Sequence, residues 1–251
     1  MNSKCYFVSD LHMFSRRSQV DRWQKMISDA ARNADLMVLG GDIFDFRWST
    51  LESVDASIDA AIRWIEEVVA ENPNCQFRYV LGNHDFNERF TARLSEFATT
   101  FKNLEWHCYF VREGNCLFLH GDVADRWTTH EQLISRRAKW LPDETRHAVS
   151  HHLYDMAISL RLHKAVSRVL HIRSRVIRRL LHYLDDIGET AESGLENVYF
   201  GHTHAIVNGV AAEGLRFYNG GAPFAGLPFN IVPVDLVHAE RPKTESFAVR
   251  A

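Results

Sequence analysis

Short apolar runs recur along the chain and stop abruptly at small polar clusters. Residues 5–8, 36–39, 77–81, 116–119 and 198–200 are rich in β-branched and aromatic side chains and too short for helices, so each reads as a buried strand. Between the early runs the period changes. Trp23, Met26, Ile27 and Ala30 lie at helical spacing within residues 20–31, as do Ile58, Ile62, Ile65 and Val69 within residues 54–69. Such alternation predicts an α/β layered fold. Further strands are expected at 205–207, 215–218 and 231–236, with turns at Asn219-Gly220-Gly221 and at 223–228. Residues 123–192 carry no strand signal and read as a helical insertion in a single domain spanning 1–251.

Composition leaves this picture standing. An apolar fraction of 46% and a charged fraction of 24% suit a soluble globular protein rather than a disordered one. The net charge of −3 gives no global signature for nucleic acid, and no such partner is expected. Cys5, Cys75, Cys108 and Cys116 form no CxxC pair and read as reduced, mostly buried thiols. The first residues run straight into an apolar strand without the layout of a secretory signal, and no apolar stretch reaches the ~18 residues of a membrane span. A cytoplasmic location is expected.

The polar clusters that end the runs change the picture most. They are Asp10-Leu11-His12, Gly41-Asp42, Gly82-Asn83-His84-Asp85, His120-Gly121-Asp122 and Gly201-His202-Thr203-His204. In parallel sheets ligands gather beyond the carboxyl ends of the strands, where each cluster lies. Oxygen and imidazole donors suit borderline divalent ions: manganese first, with iron or zinc as alternatives. Asp10 with His12, and His202 with His204, are spaced so that both members of each pair share one side of an extended strand end. A bridging carboxylate can hold two such cations about 3.5–4 Å apart, close enough to clamp a phosphoryl oxygen. Each cluster alone is unremarkable, because Gly-Asp is usually a turn and single histidines are usually surface residues. All five in order at strand ends point to a two-metal hydrolytic site. Nine of the fourteen histidines fit no ligand spacing. Asp85 and Asp122 could orient imidazoles or cap turns.

The ordered set D-x-H, G-D, G-N-H-D, H and G-H-x-H resembles the calcineurin-like metallophosphoesterase family across residues 10–204. The resemblance implies a β-sandwich flanked by helices and an enzyme in which metal-bound hydroxide attacks phosphorus. It makes Asp10, His12 and His204 ligands of one metal, and Asn83, His120 and His202 ligands of the other, with Asp42 bridging. His84 becomes the acid-base and phosphate-contacting residue.

The segment Gly41-Asp42-Ile43-Phe44-Asp45-Phe46, the His120-Gly121-Asp122 run and the helical insertion look like the UDP-2,3-diacylglucosamine diphosphatase branch, which cleaves the pyrophosphate of a lipid-linked nucleotide at the membrane surface. Between Arg161 and His182 lie seven Lys and Arg residues and no carboxylate. Val166, Val169, Leu170, Ile177, Leu180, Leu181 and Leu184 could form an apolar stripe beside them. Arginines can pair with phosphates while such a stripe lines an acyl groove or meets the inner face of a membrane. An ordinary packed helix with a solvated basic face explains the same pattern equally well. The alternative substrate is a soluble phosphomonoester or phosphodiester, and a non-catalytic scaffold is disfavoured because every motif position is filled.

Overall fold

The computed structural model describes residues 3–139 and 173–237. Two five-stranded sheets face each other. The first has the order β10-β1-β2-β3-β4, with β1 Cys5–Val8, β2 Leu36–Gly40, β3 Gln76–Val80, β4 Leu104–His107 and β10 Val232–Val234. The second runs β5-β6-β7-β9-β8, with β5 Phe110–Glu113, β6 Cys116–Leu119, β7 Asn197–Phe200, β8 Val207–Ala212 and β9 Leu215–Asn219. Strands β1 to β4 are parallel, as are β6, β7 and β9.

Apart from Arg78 in β3, the apolar runs are continuous because these strands are largely buried on both faces. Period-two alternation then sorts the side chains. Cys5, Phe7, Leu36, Val38, Cys116, Phe118 and Tyr199 point between the sheets. Val8, Met37 and Leu39 point outward beneath α1 Gln24–Arg32, α2 Val54–Glu71 and α3 Glu88–Thr100. On the far side Leu117, Leu119, Val198 and Phe200 meet Val176, Ile177, Leu180 and Leu184 of α5 Arg173–Asp186. The layers are helix, sheet, sheet, helix.

Local chemistry starts the helices. Ser53 accepts the Ala56 N–H at 3.0 Å to cap α2, and Asn87 accepts the Phe90 N–H at 3.1 Å to cap α3. A reciprocal Thr129/Gln132 box opens α4, His130–Ala138. The helix expected at residues 20–31 divides into a 3-10 turn, Val20–Arg22, and α1. Three differences from the sequence reading matter. The strand expected at 205–207 begins only at Val207, because residues 202–206 form a loop that turns toward the first sheet. Strands β4 and β5 and helix α3 had no counterpart in that reading; the first two are short and half-exposed, so their periodicity is weak. Val176, Ile177, Leu180 and Leu184 of α5 pack into its own core, Leu181 and Leu184 also line a surface cavity with Trp127 and Arg178, and Arg173, Arg175 and Arg178 face solvent. Arg179 is half-buried, and Arg161, Lys164 and Arg168 with Val166, Val169 and Leu170 lie outside the described residues.

All four cysteines are free thiols. Burial pushes Cys5 up to about 11, and Cys75 and Cys116 up to about 12, which makes them poor nucleophiles. Among the described residues no helix is long and apolar enough to cross a membrane.

Phe7 is the keystone between the sheets: it is fully buried, with ring centroids 5.9 Å from both Phe118 and Tyr199. Phe7→Ala is expected to destabilise the protein by about 3–5 kcal/mol in equilibrium denaturation. A loss below about 1 kcal/mol would contradict this packing.

Candidate metal centre

The five motifs lie at the carboxyl ends of β1, β2, β3, β6 and β7, and backbone pairing carries them past the strands. The Asp10 N–H donates to Gly41 O at 3.0 Å and the His12 N–H to Asp42 O at 2.9 Å, extending the β1–β2 ladder through both motifs. The two sheets are then joined at this edge. The His202 N–H donates to both oxygens of the Asp10 carboxylate, at 2.8 and 3.0 Å.

Seven non-glycine residues among those described have positive φ, and five of them are Asp10, His12, Asp42, His202 and His204. Left-handed backbone is uncommon for residues with a Cβ and costs on the order of 1–3 kcal/mol each. The concentration here turns donor side chains toward one point. Glycine allows the close approach at two places: a Cβ on Gly82 would fall on the Asp42 carboxylate, and one on Gly201 would fall on that of Asp10.

Three overlapping groups of donors result among the described residues, and two of them together take in six of the motif residues. Asp10, His12 and His204 have ligand atoms within 4.8 Å of one another, and so do Asp42, His120 and His202. Asn83 joins the second group, its Oδ1 lying 3.0 Å from His120 Nε2. Asp42 stands between them. Its Oδ2 is 3.6 Å from His12 Nε2 and 3.3 Å from His120 Nε2, while its Oδ1 accepts the His84 N–H at 2.7 Å. In each group imidazole nitrogens face each other, His12 Nε2 to His204 Nε2 at 3.2 Å and His120 Nε2 to His202 Nδ1 at 3.3 Å. Converging nitrogen and carboxylate lone pairs in a largely buried setting match the donor chemistry of borderline divalent cations.

The local field is polarised. Burial pushes the Asp10 and Asp42 carboxyls up, but neighbouring imidazoles more than offset this and hold both below the usual range. Burial would lower His120, yet the Asp42 charge and hydrogen bond, helped by Asp10 and Asp122, raise it to about 9. His202 is likewise raised against its burial, chiefly by Asp125. On the other side burial prevails. His12 falls to about 3, with Arg17 adding to the effect against Asp45 and Asp42, and His204 is lowered despite Asp10. The carboxylates draw positive charge to the edge where they meet.

Residues outside the motifs orient the donors. Asp45 accepts from His12 Nδ1 at 3.2 Å and from His84 Nδ1 at 2.9 Å, leaving each Nε2 as the other functional nitrogen. Burial raises the Asp45 carboxyl, but the charge of His84 and the bonds to both imidazoles drive it far below its ordinary value. Asp125 accepts from His202 Nε2 at 2.9 Å. Asn219 Nδ2 donates to Gly201 O at 2.8 Å and to Thr203 Oγ1 at 3.2 Å, pinning the last motif. Asp45 had a signal in the sequence, three residues after Asp42 in the Gly41 to Phe46 segment; Asp125 had none. Asp85 and Asp122 do not touch imidazoles directly. Asp85 accepts the Gly82 N–H at 2.6 Å, the Ile43 N–H at 3.0 Å and the Tyr79 hydroxyl at 2.7 Å, which is the turn-capping role. Burial, with the Asp42 charge, raises its carboxyl to about 6. Asp122 is paired with Arg137.

His84 lies beside Asp42 and His12, its ring centroid 4.8 Å from that of His12. It also forms a possible donor triad with those two residues, so proximity alone leaves both a ligand and a proton-transfer role open to it.

The fold is similar to that of a dimetal phosphatase from Danio rerio, with 11% identity over 89% of this chain and 88% of that one at a TM-score of 0.44. No curated protein matches the sequence. The model of the calcineurin-like phosphoesterase family matches residues 3–205, a span that holds all five motifs. The chain therefore belongs to the calcineurin-like phosphoesterase family of metal-dependent phosphoesterases.

Proposed function

We propose that this chain is a dinuclear hydrolase cleaving a P–O bond of a phosphoester or pyrophosphate, with Asp10, His12 and His204 at one cation, Asn83, His120 and His202 at the other, and Asp42 between. The observation that carries this reading is Asp42 Oδ2 lying 3.6 Å from His12 Nε2 and 3.3 Å from His120 Nε2, within reach of both donor groups. Manganese is the cation proposed first, because the donors are carboxylate, amide and imidazole without thiolate. Two divalent cations so held would supply Lewis acidity to the phosphoryl oxygens and lower the pKa of a water.

The chain's own residues do the rest. Asp42 Oδ1 is tied to the His84 N–H, so the carboxylate cannot rotate and Oδ2 stays aimed between the two groups. His84 donates its Nδ1–H to Asp45, which orients the ring so that, when the imidazole is doubly protonated, the Nε2–H is the one left to contact a phosphoryl oxygen or to pass to a departing oxygen. Phe224, buried, closes one flank with its ring 5.1 Å from that of His12 and 4.9 Å from that of His204.

For the substrate, a lipid-linked nucleotide retains the support of the solvent-facing Arg173, Arg175 and Arg178. The apolar half of α5 gives it none, since Ile177, Leu180 and Leu184 are spent in the core. That burial favours a soluble phosphomonoester or phosphodiester as the second reading. Assay of a small chromogenic phosphodiester beside a lipid-linked UDP sugar, each with manganese, separates the two. Preference for the amphiphile supports the lipid-linked reading, and turnover of soluble esters alone removes it.

Asp42→Asn is expected to lower hydrolysis by orders of magnitude and to weaken both cations while the fold persists. Near wild-type turnover in that variant, or full activity in excess chelator, would overturn the dinuclear reading. His84→Ala should retain both cations and lose about 10²–10⁴-fold in rate. The loss should shrink for a substrate with a very good leaving group if protonation is the residue's main task. Loss of a cation with unchanged turnover per remaining metal site would make His84 a ligand instead.

A further inference from the structure

Among the described residues Arg137 is the largest fully buried side chain. It lies on α4, remote in sequence from every motif but close to two of them in space. Its Nε and one terminal nitrogen donate to the two oxygens of Asp122 at 3.1 and 2.7 Å, a bidentate pair. The other terminal nitrogen donates to Leu81 O at 2.8 Å and to Cys108 O at 2.6 Å. One guanidinium thus spans the end of β3, the crossover between β4 and β5, and the loop after β6. Its Cζ lies 5.5 Å from the ring centroids of both Phe86 and Tyr109, which confine it.

Two neighbours complete a clamp on the 3-10 turn Asp122–Asp125. Arg136 donates to Asp122 O at 3.0 Å from α4, and Arg179 donates to Ala124 O at 2.7 Å from α5. Three arginines from two helices therefore hold this turn through Asp122 and Ala124.

The attachments are unequally shared between the donor groups. Leu81 immediately precedes Gly82-Asn83, Asp122 follows His120 by two residues, and Asp125 accepts from His202 Nε2. Every member of the Asn83, His120 and His202 group is thus one short step from the clamp. Asp10, His12 and His204 are held by other means: the ladder to Gly41 and Asp42, the Ser9 hydroxyl on Asp10 at 2.7 Å, and Asp45.

We propose that Arg137 is a positioning residue for one of the two cations only, holding Asn83 and His120 in register across the seam between the sheets so that the cation shared by Asn83, His120 and His202 binds tightly. This rests on the dinuclear reading above. A buried arginine could serve the fold alone, in which case its loss would lower stability without distinguishing the cations. The planar fork makes lysine a poor substitute, because one ammonium cannot reach both Asp122 oxygens and two carbonyls at once.

The test uses the full chain, stripped by chelator and titrated with manganese under equilibrium dialysis, with circular dichroism and thermal unfolding to establish folding. The variants are Arg137→Lys and the double change Arg137→Met with Asp122→Asn, which removes the buried charge together with its partner. Folded variants should keep one manganese at wild-type affinity and bind the second about 10–100-fold more weakly. The spin-coupled electron paramagnetic resonance signal of a manganese pair should give way to that of an isolated ion. Combined with His204→Ala, Arg137→Lys should leave no tight cation; combined with His202→Ala, it should add little. Two cations of wild-type affinity in folded variants, parallel loss of both, or failure of the double variant to unfold cooperatively would each overturn the proposal. A wild type that binds a single manganese would overturn the dinuclear reading instead, an outcome seen before any variant is made.

Discussion

Five aspartates, Asp10, Asp42, Asp45, Asp85 and Asp122, are buried along one edge of a two-sheet core, and what compensates their charge determines the rest of the structure. An ionised carboxylate taken out of water must find a cation, a set of hydrogen-bond donors or a proton. Asp122 finds Arg137, and Asp45 finds two imidazoles and the guanidinium of Arg17 at 3.6 Å. Asp85 is satisfied by three donors and shifts toward its protonated form. Asp10 and Asp42 meet imidazoles, a hydroxyl and backbone N–H groups. At these two the field draws positive charge, and the imidazole nitrogens around them converge instead of spreading apart. A pair of divalent cations answers both features at once.

The architecture that brings these carboxylates together is costly locally and cheap globally. Parallel strands from both sheets end at the same edge, so short loops suffice to present every donor. Five of the left-handed residues and two close glycine contacts lie at this edge, while the inter-sheet core around Phe7, Phe118 and Tyr199 keeps the strand ends fixed. Helix α4 and the 3-10 turn at Asp122–Asp125 then brace the half of the site that depends on the second sheet.

Much of this was legible in the sequence, and the reasons are physical. Strands buried on both faces yield unbroken apolar runs, which is why β1, β2, β3, β6 and β7 stand out, and donor clusters at their ends are visible without any tertiary information. Half-exposed β4 and β5 give too little contrast. Asp45 was within reach because it lies in the same turn as Asp42, whereas Arg137 and Asp125 act through contacts that no local period encodes. The stripe on α5 shows the limit from the other side: apolar residues at helical spacing look the same whether they pack against their own sheet or line a groove, and here most of them pack.

The central claim is that two cations flank Asp42. Crystals of the wild-type chain grown with manganese, with anomalous diffraction recorded on either side of its absorption edge, test it most directly. Two peaks about 3.5–4 Å apart on opposite sides of Asp42 Oδ2 are expected, one among Asp10, His12 and His204 and the other among Asn83, His120 and His202. A single peak, or manganese located away from Asp42, would contradict it.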